Sequence, residues 1–172
     1  MTNYSKKIFG NIIFLNGATS SGKTTIAKSL QAKMDEPFWH YSIDHFRDSG
    51  ILPMNRFENK EFVWSGHRES FFEGFHNSIP VFARAGNNLI VEHIIETKEW
   101  MDSLQLLLKP FDVYFVGIHC PLKELKKREL GRGDRPIGGA EKDFDSIHLH
   151  TKYNLELDST NPLNKNVHLL IS

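Results

Sequence analysis

The sequence predicts an α/β fold, a five-stranded parallel sheet flanked by helices, and three observations carry the prediction. Apolar runs alternate with stretches of helical spacing along the whole chain. The first run, residues 11–17 (NIIFLNG), is continuously apolar, as a strand covered on both faces of a parallel sheet is. It closes on a glycine-rich loop that opens a helical pattern. A chain of 172 residues suits one domain with one core, so residues 1–172 are expected to form a single unit.

The elements follow in order. After the first strand and its loop, Ile26, Leu30 and Met34 lie on one helical face. Residues 38–44 (FWHYSID) read as a second strand ending in an acid. From Glu61 to Arg84, the residues Trp64, Phe71, Phe75, Ile79 and Phe82 recur at helical spacing. Pro80 lacks an N–H and clashes with the preceding turn, so it is expected to kink or divide that helix, and Gly86 to end it. NLIVEHII is a third strand. Thr97 reads as the N-cap of a helix carrying Trp100, Leu104 and Leu108. DVYFVGIHC is a fourth strand, residues 122–130 a charged helix, and YNLELDST holds a short last strand.

Lys plus Arg and Asp plus Glu number 21 each, so the formal net charge is zero. That gives no basic field for nucleic acid. Thirteen Phe supply an aromatic core. A lone cysteine, Cys120, cannot form an internal disulfide and points to a reducing compartment, the cytoplasm. Lys6 and Lys7 ahead of IFGNIIFLNG imitate the start of a signal peptide. However, that apolar run is short and ends in the glycine loop without a small-residue cleavage site. No run approaches ~20 apolar residues, so no membrane partner is expected. Oligomeric state is not legible.

GATSSGKT, residues 17–24, fits the phosphate-binding pattern Gly, four residues, Gly-Lys-Ser/Thr. The glycines let backbone N–H groups face a phosphate, and the helix that starts here presents its positive end. Lys23 reaches the β- and γ-phosphates, and the Thr24 hydroxyl ligates Mg²⁺. Ordinary composition makes the pattern a chance event in under ~1% of chains this long, and the strand-loop-helix context is the one it requires. Gly17, Ala18, Thr19, Ser20, Ser21, Gly22, Lys23, Thr24 and the adjoining Thr25 are therefore expected to hold ATP. A GTPase would add Asp-x-x-Gly and Asn-Lys-x-Asp. The first is not found, and NKNV (residues 164–167) has Val where guanine recognition needs Asp.

Asp44 ends the second strand pattern, where groups face the ligand crevice of such sheets. A carboxylate there can take the proton of an acceptor hydroxyl or hold Mg²⁺; the alternative is an N-cap of a helix starting at His45. Glu92, at the end of the third strand, reads as a Mg²⁺-side acid, or else as a structural acid that orients His93 or a loop. His93 reads as a polar rim residue. Arg128, Arg132 and Arg135 are spaced by four and three, so one face or one flexed loop can aim all three inward. There they would stabilise a transferring phosphoryl group. Gly131, Gly133, Gly138 and Gly139 would give such an arginine-rich lid its mobility, over approximately residues 128–140. In isolation Arg132-Gly133-Asp134 is also the adhesion tripeptide, but nothing suggests the export that this would need.

The chain resembles the chloramphenicol phosphotransferase-like family of P-loop kinases. The resemblance is carried by IIFLNGATSSGKTTIAKSLQ, YSIDHF, ARAGNNLIVEHII, FVGIHCPLKELKKRELGRGDRPIGGA and HLHTKYNLELDST, in the family's order. It implies the P-loop NTPase fold and an ATP- and Mg²⁺-dependent kinase for the hydroxyl of a small molecule. It further implies Asp44 as general base, Arg132 and Arg135 as lid arginines, and Arg128 as the arginine just upstream. His148 also matches a family position. Glu92-His93 departs from the pair of aspartates associated with the drug kinase, and His45 from a small polar residue. The segment between Phe46 and Trp64, which should build the acceptor pocket, matches only at LPM. Its Phe46, Phe57, Phe62 and Trp64 suit an apolar, ring-bearing acceptor or a core.

Overall fold

In the computed structural model, residues 9–132 and 137–172 are described. Five strands, β1 (Ile12–Asn16), β2 (Phe38–Ser42), β3 (Asn88–His93), β4 (Val113–His119) and β5 (Leu155–Asp158), form one sheet in the order β2-β3-β1-β4-β5. Every pairing is parallel, with Leu15 opposite Glu92 and Ser42 opposite Glu92 on its other side.

The central strand β1 is buried along its whole length, and successive side chains serve opposite faces. Ile12 and Phe14 join a core with Phe75, Ile79, Ala83, Met101, Leu104 and Leu108, from α4 (Arg68–Arg84) and α5 (Lys98–Leu108). Ile13 and Leu15 join a second core with Ile26, Leu30 and Val167, from α1 (Lys23–Gln31) and α8 (Leu163–Ile171). Helices thus cover both faces, and the carboxyl ends of the strands share one rim. Among the described residues, no helix is long and apolar enough to cross a membrane.

Several boundaries differ from the sequence reading. The helix expected from Glu61 begins at Arg68, and Trp64–Gly66 forms a separate 3₁₀ turn. Pro80 does not divide α4, which continues to Arg84 with Pro80 buried beside Ile79 and Ala83. The missing N–H there is tolerated because packing of the apolar face outweighs one lost helical bond. The second strand stops at Ser42, and Asp44 belongs to α2 (Ile43–Asp48). Ser42 caps α2 by accepting the Asp44 N–H, so Asp44 is not the cap. Thr97 caps α5 as expected, accepting from the Trp100 N–H at 3.2 Å. Three helices had no counterpart in the sequence reading: α3 (Met54–Glu58), α7 (Gly139–Phe144) and α8. The remaining helix, α6 (Leu122–Arg132), runs through both Arg128 and Arg132.

Candidate active site

The loop between β1 and α1 holds its shape for local reasons. A Cβ on Gly17 would stand 2.6 Å from the Ile118 carbonyl oxygen, so no side chain fits there. Gly22 sits at φ 96°, a left-handed conformation that glycine adopts without strain. It is the N-cap of α1 and supplies no side-chain cap, which leaves the first N–H groups of the helix facing outward. The hydroxyls of Ser20 and Ser21 are buried without a hydrogen-bond partner. Lys23, only 6% exposed, donates to the carbonyls of Gly17 and Ala18 at 2.7 and 2.9 Å. Uncapped amides, orphan hydroxyls and a buried cation together make a cradle for phosphate oxygens.

A cavity of about 620 Å³ opens above this cradle. Thr19, Ser20, Gly22, Lys23, Thr24 and Thr25 line its floor. Ser42, Ile43, Asp44 and Glu92 line one side, and Arg128, Arg132, Ser159, Asn161 and Asn166 the other. Asp44, Glu92, Arg128 and Arg132 therefore meet the phosphate loop at one place. Arg135 lies outside the described residues.

Glu92 is 6% exposed and held on both oxygens. The Thr24 hydroxyl donates to Oε1 at 2.6 Å, and His40 Nε2 meets Oε2 at 2.8 Å. Burial pushes the Glu92 carboxyl up, but the His40 and Thr24 hydrogen bonds and the Lys23 charge outweigh it and hold it below the usual carboxylate range. One hydroxyl beside one ionised carboxylate is a donor set that fits Mg²⁺, a hard cation that completes its shell with water and phosphate oxygens. Asp44 is about a third exposed, with Arg47 3.3 Å from its Oδ1.

Arg128 donates to Glu124 from Nε at 2.9 Å, to Ser21 O and Ser159 Oγ from one terminal nitrogen, and to Ser159 O from the other. It is not a solvated helix end; it joins the phosphate loop to the segment after β5. Asp143 of α7, which the sequence reading missed, accepts from both the N–H and the hydroxyl of Thr19, at 3.0 and 2.8 Å. Glu129 accepts from the Gly138 and Ala140 N–H groups, both at 3.0 Å.

His93 borders the cavity, as a rim residue would, but its side chain is buried rather than exposed. It is 1% exposed, and its Nε2 lies 2.8 Å from that of His76 in a pair packed against Phe75 and Trp100. Its own strand, covered on both faces, draws it into the core. His148 does not line the cavity; its Nδ1 meets the Tyr153 hydroxyl at 2.7 Å. The aromatic residues ahead of α4 divide. Phe46 packs on Tyr41 and Phe75, whereas Phe57, Phe62 and Trp64 line an open pocket of about 340 Å³ with Leu52, Pro53, His67 and Phe71. A neighbouring hollow shares Leu52 and Pro53 and reaches Arg47, the partner of Asp44.

Sheet order, phosphate loop and cavity define a kinase-like phosphotransferase of the P-loop kinase fold. The chain belongs to the chloramphenicol phosphotransferase-like family, whose model it matches over residues 10–171. Two Mycobacterium tuberculosis proteins, from different strains and each named "Putative O-phosphotransferase", are 29% identical to it, over 88% of this chain and 76% of theirs. The fold is similar to the M. tuberculosis APS kinase in complex with AMPPNP and APS (TM-score 0.71, 16% identity, 95% of this chain and 96% of that one). It is also similar to a gluconokinase from Sinorhizobium meliloti (0.62, 15%, 95% and 90%) and the shikimate kinase of Aquifex aeolicus (0.62, 18%, 93% and 93%).

Proposed function

We propose that this protein transfers the γ-phosphoryl group of ATP to a hydroxyl of a small, ring-bearing molecule, chloramphenicol or a compound of that kind, with Mg²⁺ as cofactor. The observation that carries the reading is the single cavity in which Asp44 meets the phosphate loop and the Thr24–Glu92 pair. The APS kinase of similar fold, solved with the ATP analogue AMPPNP, supports ATP as the donor.

Asp44 accepts the proton of the acceptor hydroxyl as its oxygen bonds to the γ-phosphorus and the bond from that phosphorus to the β–γ bridging oxygen breaks, releasing ADP. Lys23 and the α1 N-terminus hold the β- and γ-phosphates. Thr24 and Glu92 form the metal side, and Mg²⁺ when bound neutralises charge on the phosphate oxygens. Arg128 braces the nucleotide side. Arg132, on the cavity wall at the end of α6, and Arg135 stabilise the charge on the transferring phosphoryl group. The aromatic pocket of Phe57, Phe62, Trp64 and Phe71 receives the ring of the acceptor; the hollow that shares its Leu52 and Pro53 reaches Arg47, the ion-pair partner of Asp44. The buried lone thiol Cys120 suits work in the cytoplasm.

ADP release, measured with chloramphenicol and a panel of ring-bearing alcohols, tests both donor and acceptor. Asp44→Ala is expected to keep ATP affinity and lose transfer by about 100-fold or more. An unchanged transfer rate removes Asp44 from the role of base. ATP hydrolysis that no acceptor stimulates would instead mark a nucleotide hydrolase.

A further inference from the structure

The acid at the end of β3 is held by a residue that no phosphate motif calls for. His40 comes from β2, two positions before Ser42, the register partner of Glu92. Its side chain is 6% exposed and that of Glu92 8%. His40 Nε2–H donates to Glu92 Oε2 at 2.8 Å, while Thr24 Oγ1–H donates to Oε1 at 2.6 Å. The His45 ring stands edge-on to the His40 ring with centroids 4.6 Å apart, which restrains the imidazole from turning.

Two donors on two different oxygens fix the plane of a carboxylate; one donor leaves it free to swing. A hydroxyl has one hydrogen, and once that hydrogen is committed to Glu92 the lone pairs of Thr24 face away from the acid. The direction in which Thr24 offers its oxygen therefore depends on where Glu92 is held. Outer partners of this kind set the orientation of metal ligands and are worth roughly 10- to 100-fold in metal affinity.

We infer that His40 is a positioning residue for the metal side of the site, fixing Glu92, and through it the Thr24 hydroxyl, in the orientation that presents oxygen lone pairs to a divalent cation. The inference rests on the proposed metal role of Thr24 and Glu92. It concerns orientation, and no proton moves through His40.

The test is binding of Mn²⁺ to the full chain saturated with a non-hydrolysable ATP analogue, followed by the electron paramagnetic resonance signal of free Mn²⁺. His40→Ala is expected to weaken Mn²⁺ binding about 10- to 100-fold, with nucleotide affinity in EDTA kept. In turnover, the Mg²⁺ concentration for half-maximal rate rises while the rate at saturating metal changes little. His40→Gln, whose amide N–H reaches a similar point, recovers most of the loss. Glu92→Gln serves as the reference. If Glu92→Gln weakens Mn²⁺ binding and His40→Ala does not, the inference about His40 is overturned and the metal site stands. If Glu92→Gln also leaves Mn²⁺ binding intact, the metal role itself fails. Equal loss of nucleotide affinity with and without metal in His40→Ala makes His40 a support of the cavity wall and overturns the inference as well.

Discussion

Arg128 joins two segments that nothing in the sequence connects. Its guanidinium bridges the Ser21 carbonyl of the phosphate loop and both oxygens of Ser159, beyond β5. A lysine has the charge but not the planar fork that serves several acceptors at once. Arg128→Lys is therefore expected to raise KM for ATP roughly 10-fold, and Arg128→Ala more, as loss of charge-assisted hydrogen bonds implies. The turnover number should change less than KM. Steady-state kinetics at varied ATP decide the matter, and a KM unchanged in both variants would confine Arg128 to a structural role. Local signals made the positions of Gly17 to Thr24, Glu92 and Arg128 readable, through a fixed spacing or a strand end, and that of Asp44 through its place two residues past β2, in α2. His40 and Asp143 were not readable, since their partners lie 52 and 124 positions away. Only strand register and helix docking bring them together.

The elements divide along the same line. The five strands and the long helices were legible from burial on both faces and from 3.6-residue spacing. The start of α4 was not, because Trp64, in the 3₁₀ turn, lines the same aromatic pocket as Phe71 of α4 and so mimics helical spacing seven positions before it. In α8, Pro162 at the N-cap and Leu163, Val167 and Leu170 offered a weak local signal in nine residues. By contrast α7 had none: its six residues hold through tertiary contacts. Gly138 caps it at φ 109° with no side-chain acceptor, and the Glu129 carboxylate of α6 supplies one from outside, bonding the Gly138 and Ala140 N–H groups. Those N–H groups hold the Glu129 carboxyl below the usual range. At the other end, Asp143 fastens α7 to Thr19. Glu129→Ala should therefore cost about 1–2 kcal/mol, the value of a helix cap, and loosen the path from α6 to the phosphate loop. Urea denaturation gives the stability. Faster amide exchange should be confined first to residues 137–144, and exchange unaltered there would show that α7 does not depend on the cap.

At the scale of the whole molecule, buried imidazoles set the response to acid. Burial pushes His76 down to about 4 and holds His93 well below the usual histidine value, with the charges of His76, Lys23 and Arg68 lowering it further. His148 is pushed down to about 4 by burial, then by His119 and Lys23. In the unfolded chain the same rings take protons near ~6.5. Between those limits the unfolded state binds more protons than the native one. Stability therefore rises with pH across this window, and acidification removes it from ~6.5 down to about 4, where the native rings begin to protonate as well. Glu92, Glu129 and Asp158 are displaced below the usual carboxylate range, so their contribution fades only at lower pH, as they protonate in turn. The histidine loss thus comes first. Chemical denaturation at pH 7 and pH 5 is expected to show a clear fall, with His76 alone accounting for up to about 3 kcal/mol over the full window. His76→Gln keeps a polar group against His93 Nε2 but takes no proton. It should flatten the fall between pH 7 and 5 whatever it does to stability at pH 7. An equal slope in variant and parent would mean that His76 stays unprotonated in the unfolded chain too, or that the native pair opens to admit the proton, and either would remove the buried pair as the source of acid sensitivity.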